Sequence, residues 1–311
     1  MAKVLVTGAA GFIGSHTTDL LLREGHAVLG LDNFRTGHRR NLAGALASPA
    51  FELLEADVAE PGVVARAAGR FRPDAIIHLA ALVSVQESIQ DPVLNRRLNF
   101  TATELVAEAA RRHAVGRIVF ASSAAIYGDT TDLPITEETA KQPISPYGEA
   151  KLQSEGILLA AGAGLTARCH RYFNVFGPRQ DPASPYSGVI SIFERRYREG
   201  QGVTIYGDGR QTRDFISVHD VARANVIAAT KPGIASGAAN ICTGHATSLL
   251  DVVAEFSRHY PQVPPPRHAA ARAGDIIHSL GRPDRARTEL GFAAQVSVAD
   301  GLAELIRAGA A

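Results

Sequence analysis

The chain has 311 residues, of which 46% are hydrophobic and 20% charged, a composition typical of a globular protein with an ample core. Lys and Arg number 32 against 31 Asp and Glu, and this balance excludes the basic or acidic field that recruits nucleic acid or an anionic membrane. The two cysteines, Cys169 and Cys242, lie in apolar stretches, so we predict buried thiols and neither a disulfide framework nor a metal site. "MAKVLVTG" leads directly into a strand and no apolar run has the length of a membrane span. We therefore expect no signal peptide, no membrane partner and a cytoplasmic location.

The first two-thirds of the chain alternates short apolar runs with amphipathic stretches. The runs are rich in Val, Ile, Leu and Phe without clean alternation, which is typical of parallel strands buried on both faces. Strands are predicted at 3–8, 27–32, 75–80, 117–123 and 166–173, and helices at 12–24, 62–70, 93–112 and 146–161. This alternation predicts an α/β fold with a doubly wound parallel sheet.

The composition changes beyond residue 173. "GPRQDPASPYSG" and "RHYPQVPPPRH" are rich in proline and polar residues and indicate loops of a smaller second domain. We therefore predict one domain over 1–173 and another over 174–311. A helix pattern at 219–230 and an apolar run at 239–242 suggest that 212–242 returns to the first sheet.

"VTGAAGFIGSH" follows the first strand and opens the first helix. Three glycines in a G-x-x-G-x-x-G pattern can simply mark a loop, but here each has a use in binding a dinucleotide. Gly8 permits a tight turn, Gly11 lets the backbone approach a pyrophosphate, and Gly14 lets the helix lie close to the strand. The amino terminus of the helix then offers free N–H groups and a positive dipole end to the phosphates.

The next strand ends in Asp32, 18 positions after Gly14, where a carboxylate accepts hydrogen bonds from a ribose diol and disfavours a 2′-phosphate. The sequence thus favours NAD over NADP, although Arg35, Arg39 and Arg40 could soften the preference. Asp57 and Val58 follow the third apolar run, where an adenine edge is read. His78 is expected to be a packed, hydrogen-bonded strand residue. The predicted cofactor contacts are Gly8, Gly11, Phe12, Ile13, Gly14, Asp32, Asn33, Asp57, Val58, Leu79, Ala80, Ala81, Asn99, Tyr147 and Lys151.

"SPYGEAK" begins a helix, with Ser145 as the cap and Pro146 in the first turn, so Tyr147 and Lys151 lie one turn apart on one face. An ordinary amphipathic stripe would look the same. For Tyr147 to act as a base near pH 7, its pKa must fall by roughly 3 units, about 4 kcal/mol. One nearby cation supplies about 1–3 units, so Lys151 together with an oxidised nicotinamide would suffice.

A third polar group is expected where the strand "RIVFASS" ends, because carboxyl ends of parallel strands face the cofactor crevice. Ser123 is the better candidate for a hydroxyl contact with the substrate, and Ser122 lies beside it. A serine at a strand end commonly caps a neighbouring turn, and this remains the structural alternative.

The chain resembles the extended short-chain dehydrogenase/reductase superfamily, and within it the nucleotide-sugar 4-epimerases of the UDP-glucose/galactose type. The motifs that carry the resemblance are "TGAAGFIGSH", "LDNFRTGHRRNL", "HLAA", "SSAAIYGD", "YGEAK", "RYFNVFGPRQDP", "GDGRQTRDFISVHDVA" and "GDIIHSL". The resemblance implies an NAD-binding Rossmann domain and a nucleotide-sugar-binding domain. It also implies a catalytic trio of Ser123, Tyr147 and Lys151, and a homodimer formed through the helices at 93–112 and 146–161.

The resemblance further implies a UDP-sugar substrate. Arg213 and Arg272 match the positions that clamp a diphosphate, and Ser279 matches a residue whose size closes the sugar pocket, small enough here for a 2-acetamido group. Val189, Ile190 and Tyr206 match positions that line the pocket for the base. The substrate contacts implied in this way are Ser84, Ser122, Ser123, Asn174, Val189, Ile190, Tyr206, Arg213, Arg272, Asp275 and Ser279.

The departures from relatives narrow the choice of reaction. Dehydratase relatives carry Asp-Glu after a threonine, whereas this chain has Ser123-Ala124-Ala125. Asp181 would repel the carboxylate of a uronic acid, although the two cations Arg96 and Arg97 are left unassigned. A net dehydrogenase, reductase, dehydratase or uronate-type epimerase remains the enzymatic alternative, and an NAD-sensing regulatory protein the non-enzymatic one.

Overall fold

The computed structural model describes residues 1–162, 164–181, 188–271 and 276–309. The strands in chain order are β1 (Lys3–Thr7), β2 (Ala27–Asp32), β3 (Phe51–Glu55), β4 (Ala75–His78), β5 (Arg117–Ser123), β6 (Thr166–Tyr172), β7 (Asn174–Phe176), β8 (Thr204–Tyr206), β9 (Thr212–Arg213), β10 (Phe215–Ser217), β11 (Gly237–Ile241), β12 (Thr247–Ser248) and β13 (Arg267–Ala269). The helices are α1 (Phe12–Arg23), α2 (Ala43–Leu46), α3 (Val63–Phe71), α4 (Val85–Gln90), α5 (Pro92–Asn95), α6 (Ala102–Arg112), α7 (Pro146–Leu159), α8 (Val189–Arg198), α9 (Val218–Thr230), α10 (Leu249–His259) and α11 (Val298–Gly309).

A seven-stranded sheet in the order β11-β6-β5-β4-β1-β2-β3 forms the centre of the molecule, and its neighbouring strands are all parallel. Helices cover both faces, so the strands are buried on both sides and consecutive residues such as Val4, Leu5 and Val6 have no exposed surface. The predicted doubly wound α/β fold is confirmed. The direction of winding reverses between β1 and β4, and a crevice for ligands forms at the carboxyl ends of strands at such a point.

Two apolar layers lie on the two faces of the sheet. Helix α1 packs on α9 in one layer, and α3 packs on α6, which in turn contacts α7, in the other. The predicted helix at 93–112 is interrupted: α5 ends at Asn95, a π-helical turn spans Arg96–Thr101, and α6 follows.

In the late segment, β11 pairs with β6 along Gly237–Ile241 and α9 packs on α1, which supports our proposal that 212–242 returns to the first sheet. A separate apolar cluster is built only from residues after 175, among them Phe176, Phe193 and Phe256. This cluster supports our proposal that the chain divides into domains over 1–173 and 174–311.

Cys169 and Cys242 are buried free thiols, as predicted. His78 is likewise a packed strand residue, as expected, because its Nδ1 lies 2.7 Å from Thr7 Oγ1 and its Nε2 lies 3.3 Å from Thr103 Oγ1. Within the described ranges no helix has both the length and the apolarity needed to cross a membrane.

Candidate active site

A cavity of about 800 Å³ opens at the carboxyl ends of the central strands. It gathers residues that lie far apart in the sequence and that we predicted for the cofactor, the chemistry and the substrate. Those in its wall are Gly8, Gly11, Phe12, Ile13, Gly14, Asp32, Asn33, Asp57, Val58, Leu79, Ala80, Ala81, Ser84, Ser122, Ser123, Tyr147, Lys151 and Asn174.

The glycine-rich turn fits a pyrophosphate. A Cβ on Gly14 would stand 1.9 Å from the Gly8 carbonyl oxygen, so helix and strand approach as closely as a glycine allows. Gly8 has a φ of +72°, and a Cβ there would lie 2.7 Å from the Ala80 nitrogen. Gly11 differs from these two glycines. A Cβ on Gly11 would lie 3.2 Å from the Gly8 oxygen and, apart from its chain neighbours, no other atom of the described residues would be within 4 Å of it. The space beside Gly11 is therefore available to a ligand. Gly11 also caps α1 without any side-chain hydrogen bond, which leaves the first N–H groups of the helix for an anion.

Asp32 ends β2 at the edge of this turn. One carboxylate oxygen accepts a 2.8 Å hydrogen bond from the Ala10 N–H and the other accepts one of 2.8 Å from the Phe34 N–H. Burial raises the pKa of Asp32, and these two backbone hydrogen bonds oppose that rise. The lone pairs that remain on the carboxylate can accept from a ribose diol.

Charged groups close the adenosine side of the cavity. Asp57 Oδ2 accepts a 2.7 Å hydrogen bond from Arg97, which also donates to Glu60 at 2.9 Å. Arg35 forms an ion pair with Glu87 of α4, and both residues line the cavity. The sequence did not point to Glu87, because an acid on a short amphipathic helix has no distinctive pattern.

Ser123, Tyr147 and Lys151 come together at the end of β5. Ser145 caps α7 through a 3.2 Å hydrogen bond from the Gly148 N–H, and Pro146 occupies its first turn, as predicted. Lys151 Nζ donates a 2.8 Å hydrogen bond to the Ala121 carbonyl oxygen and lies 5.7 Å from the centre of the Tyr147 ring. The three side chains are thus arranged around one point of the cavity.

The electrostatics of this trio are dominated by burial. Burial raises the pKa of Tyr147, and a hydrogen bond with the Ser123 side chain opposes the rise. Burial also lowers the pKa of Lys151 to about 7. Lys151 is therefore a weaker source of positive charge than the sequence suggests, and ionisation of Tyr147 needs a second cation beside it.

The structure gives Ser122 a different neighbour from the one that we expected. Its hydroxyl donates a 2.5 Å hydrogen bond to Glu155, because successive strand residues point to opposite faces and only Ser123 faces Tyr147. Ser122 is 2% exposed, so its hydroxyl is committed within the protein. Asn99 also lies behind the cavity wall, where its amide bonds both the N–H and the carbonyl of Leu82 at 3.1 and 2.9 Å.

Ser84 and Asn174 line the cavity on the side of the predicted substrate. Ser84 caps α4 by accepting a 2.8 Å hydrogen bond from the Glu87 N–H. Asn174 begins β7, and its amide donates to the Asp214 carbonyl at 3.3 Å.

The remaining predicted substrate residues belong to the second half of the chain. Arg213 donates to the carbonyls of Ile276 and Ile277 at 2.6 and 3.2 Å, and the Ser279 N–H donates to Thr212 at 3.1 Å. This places Arg213, on β9, close to the segment of Ser279, but neither residue is in the wall of the cavity. Arg272 and Asp275 lie outside the described residues.

The predicted base-pocket residues are placed apart from the cavity as well. Ile190 is 1% exposed and packs in the apolar cluster around Phe193. Val189 packs against the same cluster, and Tyr206 ends β8 with 38% of its surface exposed.

Comparison with known proteins sets this arrangement in a family. Residues 4–242 match the family model described as the NAD dependent epimerase/dehydratase family. The chain belongs to this family. Membership of this family accounts for finding the glycine turn, the acid at the end of β2 and the Tyr–Lys pair in one chain. It also confirms the prediction that the cofactor is NAD.

Individual members are similar over nearly the whole chain. The UDP-glucose 4-epimerase of Mycolicibacterium smegmatis is 37% identical over 309 residues, covering 98% of this chain and 97% of that protein. Among solved structures, UDP-glucose 4-epimerase of Thermotoga maritima with UDP-glucose is 33% identical with a TM-score of 0.92, covering 99% of this chain and 98% of that one. UDP-N-acetylglucosamine 4-epimerase of Methanobrevibacter ruminantium in complex with UDP-N-acetylmuramic acid is 31% identical with a TM-score of 0.93 and the same coverage.

Proposed function

We propose that this protein is a UDP-hexose 4-epimerase that inverts C4 through a transient 4-keto sugar. The proposal rests above all on one observation: Ser123, Tyr147 and Lys151 line the same cavity as the glycine turn and Asp32. Similarity to UDP-sugar 4-epimerases over nearly the full length supports the choice of substrate class.

Bound NAD supplies reversible hydride transfer at the sugar carbon. The phenol oxygen of Tyr147 takes the proton of the 4-hydroxyl and later returns it, and the Ser123 hydroxyl hydrogen bonds to the oxygen as it becomes a carbonyl. Lys151, whose pKa burial lowers to about 7, shares the task of keeping Tyr147 ionised. The cavity excludes much of the solvent from these groups, which strengthens their electrostatic effect on one another.

Inversion requires the 4-keto sugar to turn over while its nucleotide stays bound. A strong grip on UDP with a loose grip on the sugar meets this need, and Arg213, Arg272 and Asp275 are our candidates for the UDP side. Arg213 is held among backbone carbonyls of 276–277, so we expect this segment to rearrange when a diphosphate binds.

Arg96 and Arg97, the two cations that the sequence left unassigned, give little support to the alternative of a uronate-type epimerase. Arg97 is paired with Asp57 and Glu60, and the Arg96 guanidinium lies 4.6 Å from the centre of the Phe100 ring. Neither residue lines the cavity, whereas Asp181 does. A plain or N-acetylated neutral hexose is therefore the substrate class that we favour.

A homodimer also remains a proposal. Val93, at the start of the predicted interface helix at 93–112, is 80% exposed, and the preceding helix α4 adds two exposed apolar side chains, Val85 at 41% and Ile89 at 53%. A Val93→Glu variant should shift the protein from dimer to monomer in sedimentation analysis. A wild-type monomer would contradict this proposal.

The reaction is tested by incubating the protein with UDP-glucose, UDP-galactose and their N-acetylated counterparts and following the stereochemistry at C4 by NMR. An epimerase leaves the substrate mass unchanged and accumulates no free NADH. Tyr147→Phe should lower the rate by roughly 10²–10⁴-fold with an unchanged thermal unfolding curve. Loss of water from the sugar, or net production of NADH, would instead show a dehydratase or a dehydrogenase.

A further inference from the structure

A buried polar network lies directly behind the catalytic trio. Glu155 Oε1 accepts hydrogen bonds from the Ser122 hydroxyl at 2.5 Å and from Arg171 Nε at 3.0 Å, and its Oε2 accepts from the Arg171 guanidinium at 2.7 Å. Ser122, Glu155 and Arg171 are 2%, 2% and 5% exposed. The mechanism proposed above uses none of these three side chains.

The network joins the two elements that carry the trio. Ser122 precedes Ser123 on β5, whereas Glu155 follows Tyr147 and Lys151 at successive turns on one face of α7. The contact between Ser122 and Glu155 is therefore a direct link between the strand end that bears Ser123 and the helix that bears Tyr147.

Arg171 fixes this link to the rest of the sheet. It lies on β6, and besides Glu155 it donates a 2.9 Å hydrogen bond to the hydroxyl of Tyr127. The Tyr127 hydroxyl donates in turn to Asn240 of β11 at 2.7 Å. A buried ion pair adds little net stability, because the desolvation of both charges offsets their attraction, but it does fix the relative orientation of the elements that it joins.

We propose that Glu155 is a positioning residue that acts through Ser122 to hold the Ser123 hydroxyl against Tyr147. This assignment rests on the roles proposed for Ser123 and Tyr147. It replaces the sequence-based expectation that Ser122 contacts the substrate.

Ser122→Ala is the first test, because it removes the link to β5 and leaves the ion pair of Glu155 with Arg171 intact. We expect kcat to fall by about 10- to 100-fold, the effect of misplacing a catalytic group, with KM for the UDP-sugar unchanged. The pKa of Tyr147 in the NAD-loaded protein should rise by about one unit, the equivalent of one weakened hydrogen bond. Ultraviolet difference titration measures this pKa, with Tyr147→Phe as the blank.

Together with Ser122→Ala and the wild type, the variants Glu155→Gln and Ser122→Ala/Glu155→Gln complete a double-mutant cycle. Since Glu155 acts through Ser122, the double variant should lose no more kcat than Glu155→Gln alone. Glu289→Gln is the matched control. Arg168, also on β6 and 1% exposed, has its guanidinium 2.6 Å from Glu289, so the variant breaks the ion pair of a buried arginine away from the trio. It should leave kcat and the pKa of Tyr147 unchanged.

A raised KM with unchanged kcat in Ser122→Ala would mean that Ser122 contacts the substrate and would overturn the proposal. If Glu289→Gln lost as much kcat as Ser122→Ala, the network would contribute only to stability, and the proposal would be overturned as well. The titration separates this inference from the proposed function. If the wild-type protein converts no UDP-sugar, the proposed function fails, and an unshifted pKa of Tyr147 in Ser122→Ala still decides against the positioning role.

Discussion

The Nζ atom of Lys151 lies 5.7 Å from the centre of the Tyr147 ring, one helical turn along α7. Lys151 is 2% exposed and Tyr147 is half-buried, and burial works against the charged form of each: it raises the pKa of Tyr147 and lowers that of Lys151 to about 7. The two residues therefore do not form a charged pair unaided. A site of this kind becomes active when a cationic cofactor arrives beside the phenol.

The depressed pKa of Lys151 gives a pH-dependent stability. Below about pH 7 the lysine is charged in both the folded and the unfolded chain, and folding carries the full cost of burying that charge, roughly 5 kcal/mol. As the pH rises from 7 towards the unfolded pKa, only the unfolded chain keeps the proton, and the cost disappears. Lys151→Met should thus stabilise the NAD-free protein at pH 6 and lose most of this advantage by pH 9.5. Urea unfolding at the two pH values measures the difference.

Lys3→Met, at an exposed lysine, is the control for this experiment, and its effect should be the same at both pH values. A Lys151→Met variant that is no more stable than wild type at pH 6 would mean that the lysine is compensated in the folded state.

Two glycines of the first turn should respond differently to alanine. Gly11 has a φ of −74° and a ψ of 177°, which any residue adopts, so Gly11→Ala should fold normally and lose affinity for NAD because its methyl group enters the cavity. Gly14→Ala should lower the free energy of unfolding by roughly 3 kcal/mol or more, because its Cβ would stand 1.9 Å from a backbone oxygen. Thermal unfolding and NAD titration of both variants distinguish the two effects. Normal stability of Gly14→Ala would contradict this account of helix packing.

Asp32 should decide between the two nicotinamide cofactors. Replacing its carboxylate in Asp32→Ser removes hydrogen bonds to the ribose diol and should weaken NAD binding by about 10- to 100-fold. Binding of NADP should improve relative to NAD. Asp74→Ser is a suitable control, since Asp74 also accepts a backbone hydrogen bond, 2.7 Å from the Lys3 nitrogen, but follows α3 at the opposite end of the strands. A cofactor preference unchanged by Asp32→Ser would show that the selection lies elsewhere.

The proposal that Ser279 limits the size of the sugar pocket can be tested by changing the size of its side chain. A bulky residue in Ser279→Tyr should suppress turnover of N-acetylated UDP-hexoses more than that of the plain sugars, because the 2-acetamido group needs the space. Ser279→Ala should leave the ratio of the two kcat/KM values unchanged. Equal loss for both substrates in Ser279→Tyr would remove the argument from pocket size.

The fold and the choice of NAD as cofactor could be predicted from the sequence because they depend on local patterns. Apolar runs without alternation predict the parallel strands. The spacing from Gly14 to Asp32, which indicates NAD, spans only one helix and one strand. The hydrogen bond from Ser122 to Glu155 could not be predicted, since it depends on which face of β5 meets Glu155, and two adjacent serines look alike in a sequence. The burial of Ile190 could not be predicted for a related reason: its apolar side chain suits a base pocket and a hydrophobic core equally well, and in the structure it packs around Phe193.

The pairing of β11 with β6 has a consequence for dividing the molecule. A fragment ending at residue 173 would lack β11 and α9, and the seven residues of β6 would become an open sheet edge with unsatisfied backbone groups. Such an edge recruits other chains and leads to aggregation. We therefore expect a truncation at residue 173 to aggregate, and a version that also keeps 212–242 to remain well behaved in solution.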